Sequence, residues 1–167
     1  MDQDGDFSAY ASARWRTLVR SAVFLGCDLD EAHDLVQTTL LRCYTAWRKV
    51  QSADNRDAYV YRILLNCHRD RRRRRWWGER PTATLPERSA INATDAVDVA
   101  DAVHRALGDL SKVNREVVVL RYFAHLSERE TAEILGIAPG TVKSRLSRAL
   151  AQLATSSQLS DLSEGSQ

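Results

Sequence analysis

LSERETAEILGIAPGTVKSRLSRALAQL, Leu126 to Leu153, decides how this chain folds: it reads as a short capped helix, a glycine turn and a second helix. Ser127 and Glu130 have the S-x-x-E spacing in which the serine hydroxyl accepts from the backbone N–H three residues on and the glutamate reaches back, so a helix is predicted to start here. Gly136 supplies the tight turn. Pro139 suits the first position of the next helix, where its missing N–H costs nothing. On that helix Val142, Leu146, Ala149, Leu150 and Leu153 share one face, which is expected to be buried. Gly140, Lys143, Ser144 and Ser147 form an outward stripe, flanked by Arg145 and Arg148. Such a helix can enter a major groove, with small and cationic side chains toward base edges and arginines toward phosphates. An ordinary two-helix corner explains the apolar face but not the charge and hydroxyls outside it, so the stretch reads as a DNA-binding helix-turn-helix.

Working outward, nearly every long segment repeats at helical period. Phe7, Tyr10, Ala11, Trp15, Leu18, Val19 and Ala22 form a first stripe. A second runs Ala32, Leu35, Val36, Leu40, Cys43, Tyr44, Trp47 and Val50. Gly26 ends the first helix, and Asp28 or Asp30 can cap the next. After a polar loop, Gln51 to Asp57, a third helix is predicted from Ala58 to Gly78. The segment 78–94, with Pro81 and Pro86, reads as a linker that can reach about 56 Å at full extension. Further helices are predicted over Val97–Leu107, Val113–Phe123, Ser127–Leu135 and Pro139–Leu153, before a Ser-rich tail expected to fray. No strand pattern occurs. The expected fold is all-α, two small helical domains joined by a flexible linker: a three-helix bundle over 1–77, linker 78–94, a four-helix domain over 95–154 containing the helix-turn-helix, and a polar tail 155–167.

The net charge of the 167 residues is only +2, but it is unevenly spread. Arg62 to Arg80 holds eight arginines against Asp70 and Glu79, while the first 34 residues hold seven acids. One surface for a polyanion and another for a different partner is the physical implication. Cys27, Cys43 and Cys67 form no CxxC pair and read as reduced thiols, with no metal site and no cofactor. Asp28, Asp30, Glu31 and Asp34 lack the glycine and terminal glutamate of a calcium loop and read as partners of a helix dipole. The acidic start is unlike a signal peptide, and no apolar run could span a bilayer, so a cytoplasmic protein without membrane association is expected. Asp70 alone is a poor basis for nuclease chemistry, and no enzymatic activity is expected.

The third helix carries NCHRDRRRRRWWGERP, Asn66 to Pro81. Val60, Ile63, Leu64 and Cys67 face a core, while Tyr59, Arg62, Asn66, Arg69 and Arg73 recur on a second face. Aromatic rings that stack on unpaired bases, beside arginines that neutralise phosphates, are how single strands are held. Arg71 to Arg75 wrap every face with charge and are assigned to phosphates, which position DNA without specifying sequence. Trp76 and Trp77 are expected to cap a core at the domain end.

GTVKSRLSRAL after a Ser-capped helix resembles region 4 of the bacterial extracytoplasmic-function (ECF) sigma factors, and LSKVNREVVVLRYF, Leu110 to Phe123, resembles the helix before it. DLDEAHDLVQTTLLRCYTAWRKV, Asp28 to Val50, resembles region 2.2; DAYVYRILLNCHRDRRRR, Asp57 to Arg74, resembles regions 2.3 and 2.4. Ser111 stands where the family usually has proline, Thr131 where it has isoleucine, and Glu128 where an aromatic is common. No further domain follows region 4, so a fused C-terminal regulatory module is not expected.

The resemblance implies a promoter-specificity subunit that is monomeric when free and has three partners: core RNA polymerase, promoter DNA (duplex and melted non-template strand) and, in addition, an anti-sigma factor. It assigns the minus-ten element, with a flipped base, to Asn55, Arg56, Tyr59, Arg62, Asn66, Arg69, Arg73 and Arg74. The minus-thirty-five element falls to Gly140, Thr141, Lys143, Ser144, Arg145, Ser147 and Arg148. Polymerase docking falls to Asp34, Gln37, Thr38, Leu41 and Arg42, with Arg48 and Lys49 toward the DNA end. The linker is expected to keep the second domain distant from Tyr59 and Arg62. The competing reading is a stand-alone helix-turn-helix repressor, which would be a dimer on a palindrome.

Overall fold

The helix ends follow from local chemistry. The computed structural model describes residues 2–78 and 95–164, with side chains for 2–78 and 101–156; all of the expected linker beyond Gly78 lies outside the described residues. Helix α1, Gln3–Phe24, starts where the Asp2 carboxylate accepts from Gly5 N at 2.8 Å, and Gly26, at φ +111°, turns the chain after it. Helix α2, Leu29–Thr45, is capped by Asp28 in a reciprocal box with Glu31, so the cap is Asp28 rather than Asp30. The second stripe does not run unbroken to Val50. The backbone leaves helical geometry at Ala46, and a short α3, Trp47–Gln51, follows. The break tucks Trp47 under α1, where its indole donates to Asp6 at 3.2 Å and meets the Phe7 and Tyr10 rings. Asn55 then caps α4, Arg56–Trp76, by accepting from Ala58 N.

In the second half, α5 is Asp95–Gly108 and α6 is Lys112–Val118. The Ser111 hydroxyl accepts from Asn114 N, so serine caps α6 where proline is usual. Val119–Phe123 continues α6 as a wider, π-type turn, with Ala124 N donating to Val119 O five residues back. Helix α7, Glu128–Leu135, has the predicted capping box of Ser127 and Glu130, and Gly136 closes it at φ +66°. Helix α8 is Pro139–Glu164; it runs on past Leu153, through the segment expected to fray.

Helices α1, α2 and α4 pack around Leu18, Leu35, Val36, Leu64 and Leu65, and Ser21 and Tyr61 share a 2.7 Å hydrogen bond inside that core. Val117, Ala132 and Val142 form a smaller cluster within the second half. Leu107, Val119, Leu120, Leu126 and Ala149 instead join the first half's core, and Phe24 meets Phe123 with ring centroids 4.4 Å apart. The two small helical domains are as expected, and apolar surface of α5 and the π turn packs against α1. The all-α class is as expected, and no strand occurs among the described residues.

Two smaller expectations are also overturned. Trp76 and Trp77 cap no core; they are 87% and 81% exposed, because the end of α4 projects beyond the bundle. On α8, Val142 and Ala149 are buried but Leu150 is exposed, since the second half is too thin to cover that side.

Thr131 is fully buried, and its hydroxyl has no hydrogen-bond partner among the described residues. An unpaired buried hydroxyl costs about 1–3 kcal/mol, so Thr131→Val should raise the free energy of unfolding by about 1 kcal/mol. Urea denaturation checks this; a loss of stability would show that the hydroxyl is satisfied in solution.

Candidate nucleic-acid interface

The buried stripe of α4, which includes Val60, Tyr61, Leu64, Leu65, Cys67 and His68, fixes which of its polar residues point away from the first-half core. Arg62, Asn66, Arg73 and Arg74 are exposed; Tyr59 and Arg69 are half-buried. The Arg62 guanidinium lies 5.8 Å from the Tyr59 ring centroid, so ring and cation form one patch. Arg56 lies over the Trp47 ring and 3.9 Å from Asp6. Of the residues assigned to the minus-ten element, Tyr59 and Arg62 are thus brought together, while Arg73 turns to Asp70.

They do not face open solvent throughout. Asn55 Nδ2 donates to Glu130 Oε1 of α7 at 2.8 Å, and Arg69 Nη2 pairs with Glu116 Oε2 of α6 at 3.1 Å. Asn55, Tyr59 and Arg62 line a cleft of about 380 Å³ whose other wall is Ser127, Arg129, Glu130 and Glu133. The second half is thus in contact with these residues, not distant from them. The Glu130 carboxyl is held below its ordinary range, chiefly by the hydrogen bond from Ser127 N, with help from Asn55. Glu116 is only 5% exposed, and its other oxygen has no partner among the described residues, so Arg69 is the cation that compensates it.

The arginine run divides by direction. Arg71 donates to the Glu31 carbonyl, Arg75 pairs with the Glu31 carboxylate, and Arg73 pairs with Asp70 at 2.9 Å. Arg72 and Arg74 have no partner among the described residues. Not every arginine of the run is therefore available to a phosphate.

On α8, Gly140, Lys143, Ser144, Ser147 and Arg148 are exposed, while Thr141 and Arg145 are half-buried. Burial of Val142 and Ala149 aims this stripe outward. On α2, Asp34, Gln37, Leu41 and Arg42 are exposed along one helical line, with Thr38 half-buried and donating to Asp34 O. Leu41 is 65% exposed in a charged setting, and Tyr44 extends the same apolar surface.

Sequence reasoning missed Arg115, which ties the halves together. Its guanidinium donates to the carbonyls of Leu107, Gly108 and Leu110 and, across the seam, to that of Leu25 at 3.3 Å. The available signal was REVVVL, a charged pair leading straight into an apolar run. His68 was also passed over. It is buried 3.6 Å from Cys27 Sγ, and its pKa is lowered to about 4 by burial and then by Arg72, Lys112, Arg115 and Arg69.

Comparison with known proteins agrees with this layout. Residues 7–78 match the family model for Sigma-70 region 2, and residues 100–153 match that for Sigma-70, region 4. The RNA polymerase sigma-E factor of Streptomyces coelicolor is 39% identical over 153 residues, covering 89% of this chain and 84% of its own. The ECF RNA polymerase sigma factor SigM of Mycobacterium tuberculosis is 34% identical, covering 83% and 70%. Among solved structures, the sigma factor RpoE in complex with the anti-sigma factor NepR, from Bartonella quintana, superposes with a TM-score of 0.72 at 28% identity, covering 89% of this chain and 94% of that one. No described helix is long and apolar enough to cross a membrane.

The His68 environment sets a pH dependence. Folding lowers its pKa from 6.5 to about 4, so in that interval the unfolded chain takes up a proton that the folded chain refuses. Its contribution is complete above pH 6.5 and is lost as the pH falls toward 4, up to about 3 kcal/mol in all. Urea midpoints should therefore drop across this window, and His68→Asn should flatten the upper part of the profile; an unchanged slope in the variant would assign it to other groups.

Proposed function

Because the chain belongs to the ECF RNA polymerase sigma factors, we propose that the outward face of α2 carries it on core polymerase while α4 and α8 read two separate promoter elements. The protein directs polymerase to promoters and assists DNA melting. It is not itself an enzyme, since polymerase does the chemistry, and it acts in the cytoplasm as a monomer until it joins polymerase. The carrying observation is that both family matches fall, in order, on helices whose exposed faces hold the residues these tasks require.

Each role follows from chemistry. Lys143, Ser144 and Ser147, with Gly140 and Thr141, approach major-groove base edges of the minus-thirty-five element, while Arg145 and Arg148 take phosphates. Asn55, Tyr59, Arg62 and Asn66 hold unstacked bases of the melted minus-ten strand, Tyr59 by stacking. Arg56, Arg69, Arg73 and Arg74 position its backbone. On α2, Leu41 supplies an apolar anchor, and Asp34, Gln37, Thr38 and Arg42 surround it with polar contacts, the layout of a partner-binding patch. An anti-sigma factor is a further partner, as NepR is for RpoE.

Helix α7 lies across Asn55, Tyr59 and Arg62. A strand reaches these groups only after α7 moves away and Glu130 releases Asn55. The segment 78–94 is long enough, at about 56 Å extended, to let the second half depart while remaining tethered. The arrangement described is thus a closed state, and promoter reading requires an open one.

Asp34→Arg combined with Gln37→Arg should abolish co-purification with core polymerase and run-off transcription while leaving helical circular dichroism unchanged. Full transcription by that variant would remove α2 from the docking role. Lys143→Ala should alter preference at the minus-thirty-five element, by about 1–3 kcal/mol if a bidentate base contact is lost, and leave opening of a pre-melted bubble nearly unchanged. Tyr59→Ala should do the reverse. Selection from promoter libraries on duplex and bubble templates checks both, and a minus-ten change from Lys143→Ala would overturn the two-site assignment.

A further inference from the structure

A second cleft, of about 240 Å³, opens at the seam between the halves; Arg71, Arg72 and Arg75 of α4, Arg115 of α6, Glu31 and His68 line it. Four guanidiniums meet one carboxylate there, and that carboxylate is already engaged. Glu31 pairs with Arg75 through one oxygen and accepts from Asp28 N at 3.1 Å through the other. Arg115 spends its donors on main-chain carbonyls, which satisfy hydrogen bonds without cancelling charge. Arg71 likewise meets only a carbonyl, and Arg72 has no partner among the described residues. Nothing else in the wall supplies a counter-charge: burial keeps Cys27 a thiol, with its pKa up to about 11, and keeps His68 neutral.

The turn is shaped to allow this crowding. A Cβ on Gly26 would lie 2.8 Å from Arg115 Nη1, so the absence of a side chain lets the guanidinium cross the seam to Leu25 O. Closure therefore brings Arg115 into the field of Arg72, which, after desolvation, disfavours the Arg115 charge more than the neighbouring Glu116 favours it. Like charges held together in a partly desolvated cleft oppose closure unless an anion joins them.

We propose that this cleft binds a small, multiply charged oligophosphate, which bridges α4 and α6 and favours the closed arrangement. Its volume is that of about eight water molecules in the liquid, room for two or three linked phosphate groups. Guanidinium forks match phosphate oxygens in geometry as well as charge. The first half supplies all of the lining except Arg115, which comes from the second, so only the closed state offers the whole site. A ligand that binds one state must shift the equilibrium toward it. That such an anion would also oppose promoter reading rests on the function proposed above; the binding itself does not.

Isothermal titration of the full chain with tripolyphosphate, metal-free and at fixed ionic strength, tests the site. Saturable one-to-one binding is expected, about tenfold weaker in Arg72→Ala. Arg16→Ala, which removes an exposed charge of α1 outside the cleft, should bind as the unmodified chain does. Arg115→Gln, once shown to be helical, should also lose affinity; Arg72→Ala carries the test if it is not. Non-saturating heats, or equal weakening by Arg16→Ala, would reduce the effect to general charge and overturn the proposal. It also fails if a short single-stranded oligonucleotide displaces tripolyphosphate in a manner that needs Arg72 but not Arg115, since the cleft would then be part of a DNA track.

Discussion

Burial of one stripe of α4 is the constraint on which the rest depends. That helix carries a dense run of arginines toward its C-terminal end, and a helix so charged has little reason to pack except through Val60, Tyr61, Leu64, Leu65 and Cys67. Each large apolar side chain removed from water contributes about 1.5–3 kcal/mol before entropy is counted. The Tyr61 hydroxyl is buried with them and meets Ser21 at 2.7 Å, so the contact fixes rotation as well as depth. A small turn of α4 about its axis would break that bond and re-aim Tyr59, Arg62 and Arg69 together. The precision of this face, proposed above to read DNA, is thus inherited from the core behind it.

The seam between the halves uses the same chemistry that DNA would use. Asn55 and Arg69, suited to bases and phosphates, here meet the carboxylates of Glu130 and Glu116. A half-exposed arginine paired with a buried glutamate is worth little net, because desolvation offsets most of the attraction, yet separating the pair without a replacement partner is costly to the glutamate. The apolar contacts, Phe24 with Phe123 among them, add a non-directional share. Under the function proposed above, closure and strand binding would compete for the same polar groups, Asn55 and Arg69.

The departures from the family pattern are explained unevenly. Ser111 replaces proline but caps α6 itself. Glu128 replaces an aromatic and joins Glu130 in the first turn of α7, where carboxylates favour the helix dipole. Thr131 has no such local compensation, since its buried hydroxyl has no hydrogen-bond partner among the described residues.

What the sequence determined by itself was everything whose cause lies within a few residues. The box of Ser127 with Glu130 and the turn at Gly136 were legible because cap and partner are three residues apart or the turn needs one glycine, whereas the start of α2 was narrowed only to Asp28 or Asp30. So were the all-helical class and the outward stripes of α2 and α8, since periodicity alone sorts one helix face from another; the family was legible as a resemblance of motifs in order. The tertiary structure alone decided the break at Ala46, the π turn after Val118, the exposure of Trp76 and Trp77, and the closing of one half on the other. Those depend on partners far along the chain. Arg69 and Glu116 are 47 positions apart, and Asn55 and Glu130 are 75 apart. No local pattern records such a distance, and only the folded chain brings the two partners to the same place.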